Sequence, residues 1–213
     1  MLHYITKEQY LTDPCRSSSL AYWKTISYPV PDGLKVVHVD DFVHKDECLD
    51  MKKYFRLIHN LEHIKLFSHV DYLVRTVEIE KEKELVAHIL SVCYHADFDI
   101  KFVDNLMQTK VYDPHLWVIA IEKSTMMPVG LGIADFDPEI KEGSLEWIQV
   151  MPEKRGLGIG TLLVGELLQR LKAKADFVTT SGQTSNKSNP EGLYRKCGFQ
   201  GDDVWYVIRK ILR

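Results

Sequence analysis

The stretch that most restricts what this chain can become runs from Trp147 to Leu168, WIQVMPEKRGLGIGTLLVGELL. An apolar run suited to a strand passes through a Pro/Glu/Lys/Arg turn into three alternate glycines, Gly156, Gly158 and Gly160. Leucines then recur at helical spacing, so a strand–turn–helix unit is expected. Alternate glycines let backbone N–H groups approach a ligand, and the helix start adds unpaired donors and a positive dipole end. A phosphate cradle is the reading. Each charge placement at a helix end contributes roughly 0.3–1 kcal/mol, so several donors must act together.

Two common nucleotide readings fail on spacing. GxGxxG needs a third glycine where Thr161 stands, and Asp176 precedes an expected strand where the ribose-binding acid should follow one. A Walker A loop needs a lysine after its last glycine, and none is present.

The surrounding chain is read as follows. From residue 70 the order is β-α-α-β-β-β-α-β-α-β. Tyr72 to Ile79 alternates as a strand, and Glu82 to Tyr94 places Leu85, Val86, Ile89, Leu90 and Cys93 on one helical face. Asp99 is a cap for a second helix. Leu116 to Glu122 and Val129 to Phe136 form a hairpin, Ser144 to Val150 and Phe177 to Ser181 are further strands, and Val204 to Ile208 closes the chain. Asn189 and Pro190 read as N-cap and first residue of a helix that Gly198 ends. Before residue 67, Ser17 to Ser19 suit a cap for a helix holding Leu20, Tyr22 and Trp23. Leu34 to Val39, with Val36, Val37 and Val39, suit a strand, and Asp46 to Leu61 an amphipathic helix.

Arg155 to Gly160 resembles the [QR]xxGx[GA] signature of the GNAT acetyltransferase superfamily. Asn189-Pro190-Glu191-Gly192-Leu193-Tyr194-Arg195-Lys196-Cys197-Gly198-Phe199 is similar to that family's second block, N…LY.K.GF. The resemblance spans about residues 70 to 213. It implies a GNAT-like acyl-CoA N-acyltransferase fold, a central mixed β-sheet flanked by helices. Residues 67–213 would form the acetyltransferase domain; residues 1–66 lie outside the resemblance and read as an N-terminal α/β appendage, with the hypothesis that it walls the acceptor side of the cleft.

The resemblance also implies acetyl-CoA as cosubstrate. Its pyrophosphate would be held by Arg155, Gly156, Leu157, Gly158, Ile159, Gly160 and Thr161, with Asn189 in the second motif. The pantetheine arm would lie along Ile148 and Val150. Tyr194 matches the family's general-acid tyrosine. A phenol near pKa 10 protonating a thiolate near 8.5 is uphill by about 2 kcal/mol, within reach if hydrogen bonding stabilises the thiolate. The alternative is a packed helix aromatic.

A lysine-like acceptor amine is neutral in about one molecule in 2,500 at pH 7, so a base helps. Alternation places Glu146 on the side of Ile148 and Val150, where partial burial would make it a useful base. A solvated strand-end carboxylate is the alternative; Asp135 and Asp137 are substitutes. The run of carboxylates from Asp135 to Glu146 favours a cationic amine and does not itself separate a small molecule from a protein; a primary amine of a small molecule is the reading carried forward. Protein or peptide N-acetylation, and a non-catalytic acyl-CoA-binding regulatory module, are the rival readings.

Composition closes other routes. The 213 residues, 45% hydrophobic and 27% charged with net charge −3, describe a globular chain and not a dedicated nucleic-acid binder. Leu116 to Ile121 is too short to span a bilayer, and no signal-peptide core is evident in the first twenty residues. Cys15, Cys48, Cys93 and Cys197 form no CxxC pair, which fits a reduced, cytoplasmic protein. His59 and His63 stand one helical turn apart but lack a third ligand, so no metal is expected. A homodimer is left open.

Overall fold

A computed structural model describes residues 5–43 and 49–210. The expected helix start at Asp46 and the thiol of Cys48 lie outside the described residues. Along the chain come α1 (Lys7–Thr12), α2 (Pro14–Ser17), α3 (Tyr22–Ser27), β1 (Leu34–His38), β2 (Leu49–His59) and β3 (Tyr72–Thr76). They are followed by α4 (Ile79–Tyr94), α5 (Ile100–Met107), β4 (Trp117–Glu122), β5 (Pro128–Asp137) and β6 (Glu142–Val150). Last come α6 (Ile159–Leu171), β7 (Phe177–Gln183), α7 (Pro190–Lys196) and β8 (Gln200–Lys210). This is a mixed α/β fold. From residue 70 the order is the one the sequence predicts.

The chain divides into two compact units, one of Asn60–Val178 and one of Met1–His59 with Thr179–Arg213. In the first, β6, β5, β4 and β3 lie side by side in that order. Their pairings are antiparallel, with Trp117 opposite Ile133 and Gly132 opposite Ile148. The sheet is covered on both faces, which explains why β4 reads as a continuous apolar run. Trp117, Ile119, Ile121, Leu131 and Ile133 form one core with Val86, Ile89 and Leu90 of α4 and Val103 of α5.

The opposite face carries α6, whose Ile159, Leu163, Val164, Leu167, Leu168 and Leu171 are all 1% exposed or less. Burying six such side chains contributes on the order of 10 kcal/mol before entropy is counted. Gly130 and Gly132 make the close approach of α6 feasible. A Cβ on Gly130 would lie 3.2 Å from Leu163 and 2.9 Å from the Gln149 carbonyl. On Gly132 it would lie 3.2 Å from Leu167 and 3.0 Å from Val118.

In the second unit the order is β1-β8-β2-β7, with β8 antiparallel to both β1 and β2. Residues 49–59 are therefore a strand, correcting the amphipathic helix expected there. The aromatic and branched run Tyr54-Phe55-Arg56-Leu57-Ile58 suits a strand enclosed by neighbours on both sides, and Phe55, Arg56 and Leu57 are all buried. The helix-like spacing was coincidental. The buried Arg56 donates to Ser181 Oγ at 3.0 Å, Tyr10 Oη at 2.9 Å and Thr179 Oγ1 at 2.9 Å, tying β2 to α1 and β7.

The first helices start differently from the expectation as well. Thr6 and Gln9 form a reciprocal capping box at α1, and Asp13 caps α2 ahead of Pro14. The serine run caps nothing downstream: Ser18 ends α2, and α3 begins after Ala21 without a side-chain cap.

Candidate active site

The glycine turn forms as the sequence predicts. After β6 the chain makes a short 310 turn at Pro152–Lys154 and reaches Gly156 and Gly158 with φ of +81° and +83°. Both lie in the left-handed region that favours glycine. A Cβ on Gly156 would have no neighbour within 4 Å, so space beside this backbone is open. Gly158 is the N-cap of α6 and supplies no side-chain cap to the first-turn N–H groups. A 13-residue helix that begins on glycines without a side-chain cap has donors and dipole available for an anion. The residues fit the diphosphate of a CoA-type donor.

Around this turn the other expected donor residues divide by what their side chains already do. Ile159 is buried in the core, and Thr161 donates to the Gly158 carbonyl at 2.6 Å, which stiffens the turn. These two offer a ligand only backbone. Arg155 is exposed but folds its Nε back to the Val150 carbonyl at 3.1 Å. Leu157 is 48% exposed. Ile148 and Val150 stand opposite Gly132 and Gly130, on the face that carries α6.

Glu146 departs from simple alternation. In the β5–β6 ladder Ile133 faces Trp147 and Ala134 faces Leu145, leaving Glu146 as the extra residue of a β-bulge. Ser144 Oγ donates to Glu146 Oε1 at 2.9 Å, and Ser144 stands opposite Asp135. Glu146 thus shares the face of Ser144 and Trp147, the one packed by α4 and α5. The expectation that it sides with Ile148 and Val150 is corrected, because a bulge reverses the two-residue rhythm across one position. Of the substitutes, Asp135 is half-buried on this same face. Asp137 is 1% exposed, accepts the Glu139 amide on Oδ1, and stands opposite the equally buried Glu142.

Sequence reasoning missed the aromatic surroundings of Glu146. Trp147 is flanked by Tyr94, Phe98 and Phe102, with ring centroids 5.3, 5.9 and 5.8 Å away and interplanar angles of 79°, 77° and 87°. Gln149 donates to the Tyr94 hydroxyl at 2.9 Å. Burial, then coulombic coupling to Cys93 and Glu146, holds the Tyr94 phenol above its usual pKa. The signal was present: aromatic residues at 94, 98 and 102, four apart.

Asn189 and Tyr194 belong to the other unit. Asn189 has φ of +50°, and its Oδ1 accepts the Gly192 amide at 3.1 Å, so it caps α7 ahead of Pro190 as predicted. Gly198, with φ of +106°, follows the helix end. Tyr194 is 6% exposed, its ring 6.1 Å from Phe55 and 5.6 Å from Phe199. His59 is also here, buried on β2 against Phe199 at 5.3 Å. The helical spacing that paired His59 with His63 is absent, since β2 ends at His59.

Residues 83–199 match the model of the Acetyltransferase (GNAT) family, more than half of the chain. The chain belongs to that family. The family is one of acetyltransferases, so membership supports acyl-group transfer in general.

Solved GNAT structures share the fold. A GCN5-related N-acetyltransferase from Sphaerobacter thermophilus aligns with a TM-score of 0.63 at 17% identity, over 75% of this chain and 51% of that one. Ard1 from Thermoplasma volcanium aligns with a TM-score of 0.53 at 17% identity, over 68% of this chain and all of that one. A structure of the NatC complex bound to Gag peptide and CoA aligns with a TM-score of 0.51 at 16% identity, over 67% and 100%. This GNAT protein spans about half the length of the first of these. No curated protein matches its sequence. No helix among the described residues is long and apolar enough to cross a membrane.

Proposed function

We propose that this GNAT protein is an N-acetyltransferase that moves an acetyl group from acetyl-CoA directly to a primary amine of a small molecule. The observation that carries this reading is the start of α6. Its glycine turn is left-handed, open beside Gly156 and without a side-chain cap, directly after the strand that bears Glu146. The backbone N–H groups of Gly156 to Thr161 hold the donor's diphosphate, and Arg155 adds charge nearby. Ile148 and Val150 lend strand backbone to the pantetheine arm, and Asn189 assists from the second family motif.

In the reaction the acceptor nitrogen bonds to the thioester carbonyl carbon, the carbon–sulfur bond breaks, and one proton is released overall. Glu146 takes a proton from the acceptor ammonium, directly or through water. Tyr194 gives its proton to the departing sulfur and recovers one, directly or through water, from the acceptor nitrogen as the amide forms, a role that rests on its place in the family block. Cytoplasmic residence is part of the same reading and rests on the spacing of the cysteines, which form no CxxC pair.

The test is acetyl-CoA binding followed by thiol release over an amine panel that includes peptides. Stabilisation against heat by acetyl-CoA is expected, and its absence removes the reading. Tyr194→Phe should lower kcat more than donor affinity. Acetylated peptides detected by mass spectrometry, with small amines inert, would transfer the acceptor class to proteins. Binding without thiol release for any acceptor would leave an acyl-CoA-binding module.

A further inference from the structure

An amine acceptor needs somewhere to put the rest of itself, and the face of β6 that bears Glu146 supplies a surface for it. Trp147 follows Glu146 directly, so ring and carboxylate are carried on adjacent Cα atoms about 3.8 Å apart. Three further rings meet Trp147 edge to face at 77° to 87°. Two more edge-to-face contacts tie these partners to one another, Tyr94 with Phe98 at 5.9 Å and Phe98 with Phe102 at 4.7 Å. The rings are partly accessible, Tyr94 being 46% exposed.

The array is held in place before any ligand arrives. Gln149 fixes the Tyr94 hydroxyl, and Ser91 Oγ accepts the Phe98 amide at 2.9 Å and donates to its carbonyl at 3.2 Å, closing the α4–α5 connection. Asp99 caps α5 by accepting the Phe102 amide at 2.8 Å. A preset surface of this kind loses little entropy on binding. An incoming ring extends the same edge-to-face packing and gains beyond the area it buries. Its ammonium gains from aromatic faces and from an adjacent carboxylate.

We propose that Tyr94, Phe98, Phe102 and Trp147, together with Glu146, form the acceptor surface, and that the acceptor is a primary amine joined to an aromatic ring by a short tether. This rests on the N-acetyltransferase reading and names its substrate class.

The experiment compares 2-phenylethylamine with hexylamine, amines that differ mainly in the ring. Binding is read from thermal shift and tryptophan fluorescence on the full chain with CoA present, and turnover from thiol release with acetyl-CoA. The expected result is tighter binding of 2-phenylethylamine by about tenfold, with Tyr94→Ala removing most of that preference and Tyr94→Phe retaining most of it. The donor's own thermal shift should be unchanged in both variants. Equal binding of the two amines, or a preference that survives Tyr94→Ala, overturns the proposal while acetyl transfer stands. If neither amine is acetylated yet the ring preference and its loss in Tyr94→Ala are observed, the acceptor surface is upheld and the catalytic reading falls.

Discussion

Ser144 Oγ donates a hydrogen bond to Glu146 Oε1 at 2.9 Å, joining a laddered strand residue to the extra residue of a β-bulge. The hydroxyl aims a carboxylate that the bulge has turned toward α4 and α5. Glu146→Gln keeps the shape and the bond from Ser144 but removes the proton acceptor. It should lower kcat about 100-fold with little change in the acetyl-CoA thermal shift. Unchanged kcat would remove the base role, and Asp135 would be next to test.

Gly158 caps α6 at φ of +83°. Gly158→Ala should cost about 1–2 kcal/mol of stability, because a Cβ in the left-handed region meets the following carbonyl. The donor should also bind more weakly, by about tenfold. Gly156→Ala provides the comparison, since its Cβ meets no protein atom within 4 Å. Any loss of donor affinity beyond backbone strain then reports the open space beside it, measured as the shift in Tm that acetyl-CoA produces.

Glu82 sits at the kink of α4 with φ of −120° and receives Arg75 on both oxygens, at 2.6 and 2.8 Å, and the Glu78 amide at 2.7 Å. The Arg75 bond, opposed by burial, pulls its pKa below the ordinary 4.5. A depressed carboxyl contributes stability that is present above 4.5 and lost as pH falls through the folded value. Glu82→Gln should cost about 1 kcal/mol at neutral pH, the partly exposed arginine limiting the effect. Urea unfolding should show the difference shrinking as the solution is acidified below 4.5.

His59 behaves with the same sign for another reason. Burial lowers its pKa from 6.5, partly offset by a backbone hydrogen bond at Cys197. The folded chain prefers the neutral ring, so His59 supports stability above 6.5 and withdraws that support as pH falls below it. His59→Gln should flatten the loss of unfolding free energy between about pH 7.5 and pH 5.5. An identical slope in both proteins would show that other groups carry the acid sensitivity.

What was readable in the sequence follows from how local each signal is. The glycine turn, the Asn189–Pro190 start and the Asp99 cap are decided by a few adjacent residues whose backbone chemistry has few alternatives. The strand at 49–59 is hidden in the sequence because its apolar spacing fits either period. The decision came from β8 pairing along it, a partner some 150 residues away. The face of Glu146 is hidden for a similar reason. A bulge is a property of two strands together, and nothing within Ser144 to Val150 announces it. The ring array around Trp147 needed α4, α5 and β6 to be assembled before residues four apart became one surface.

Gly130 and Gly132 sit beneath α6 in the middle of β5, remote along the chain from the turn at 156–160. They determine how deeply the helix beds into the sheet, and the turn is rigidly joined to that helix. Restoring a single methyl at Gly132 would meet Leu167 and Val118 at 3.2 and 3.0 Å and tilt or lift the whole cylinder. The direction in which the loop amides point is therefore an inherited alignment, set by two missing side chains on a neighbouring strand. Loop sequences transplanted between relatives would carry their function only if the bed beneath the helix travelled with them.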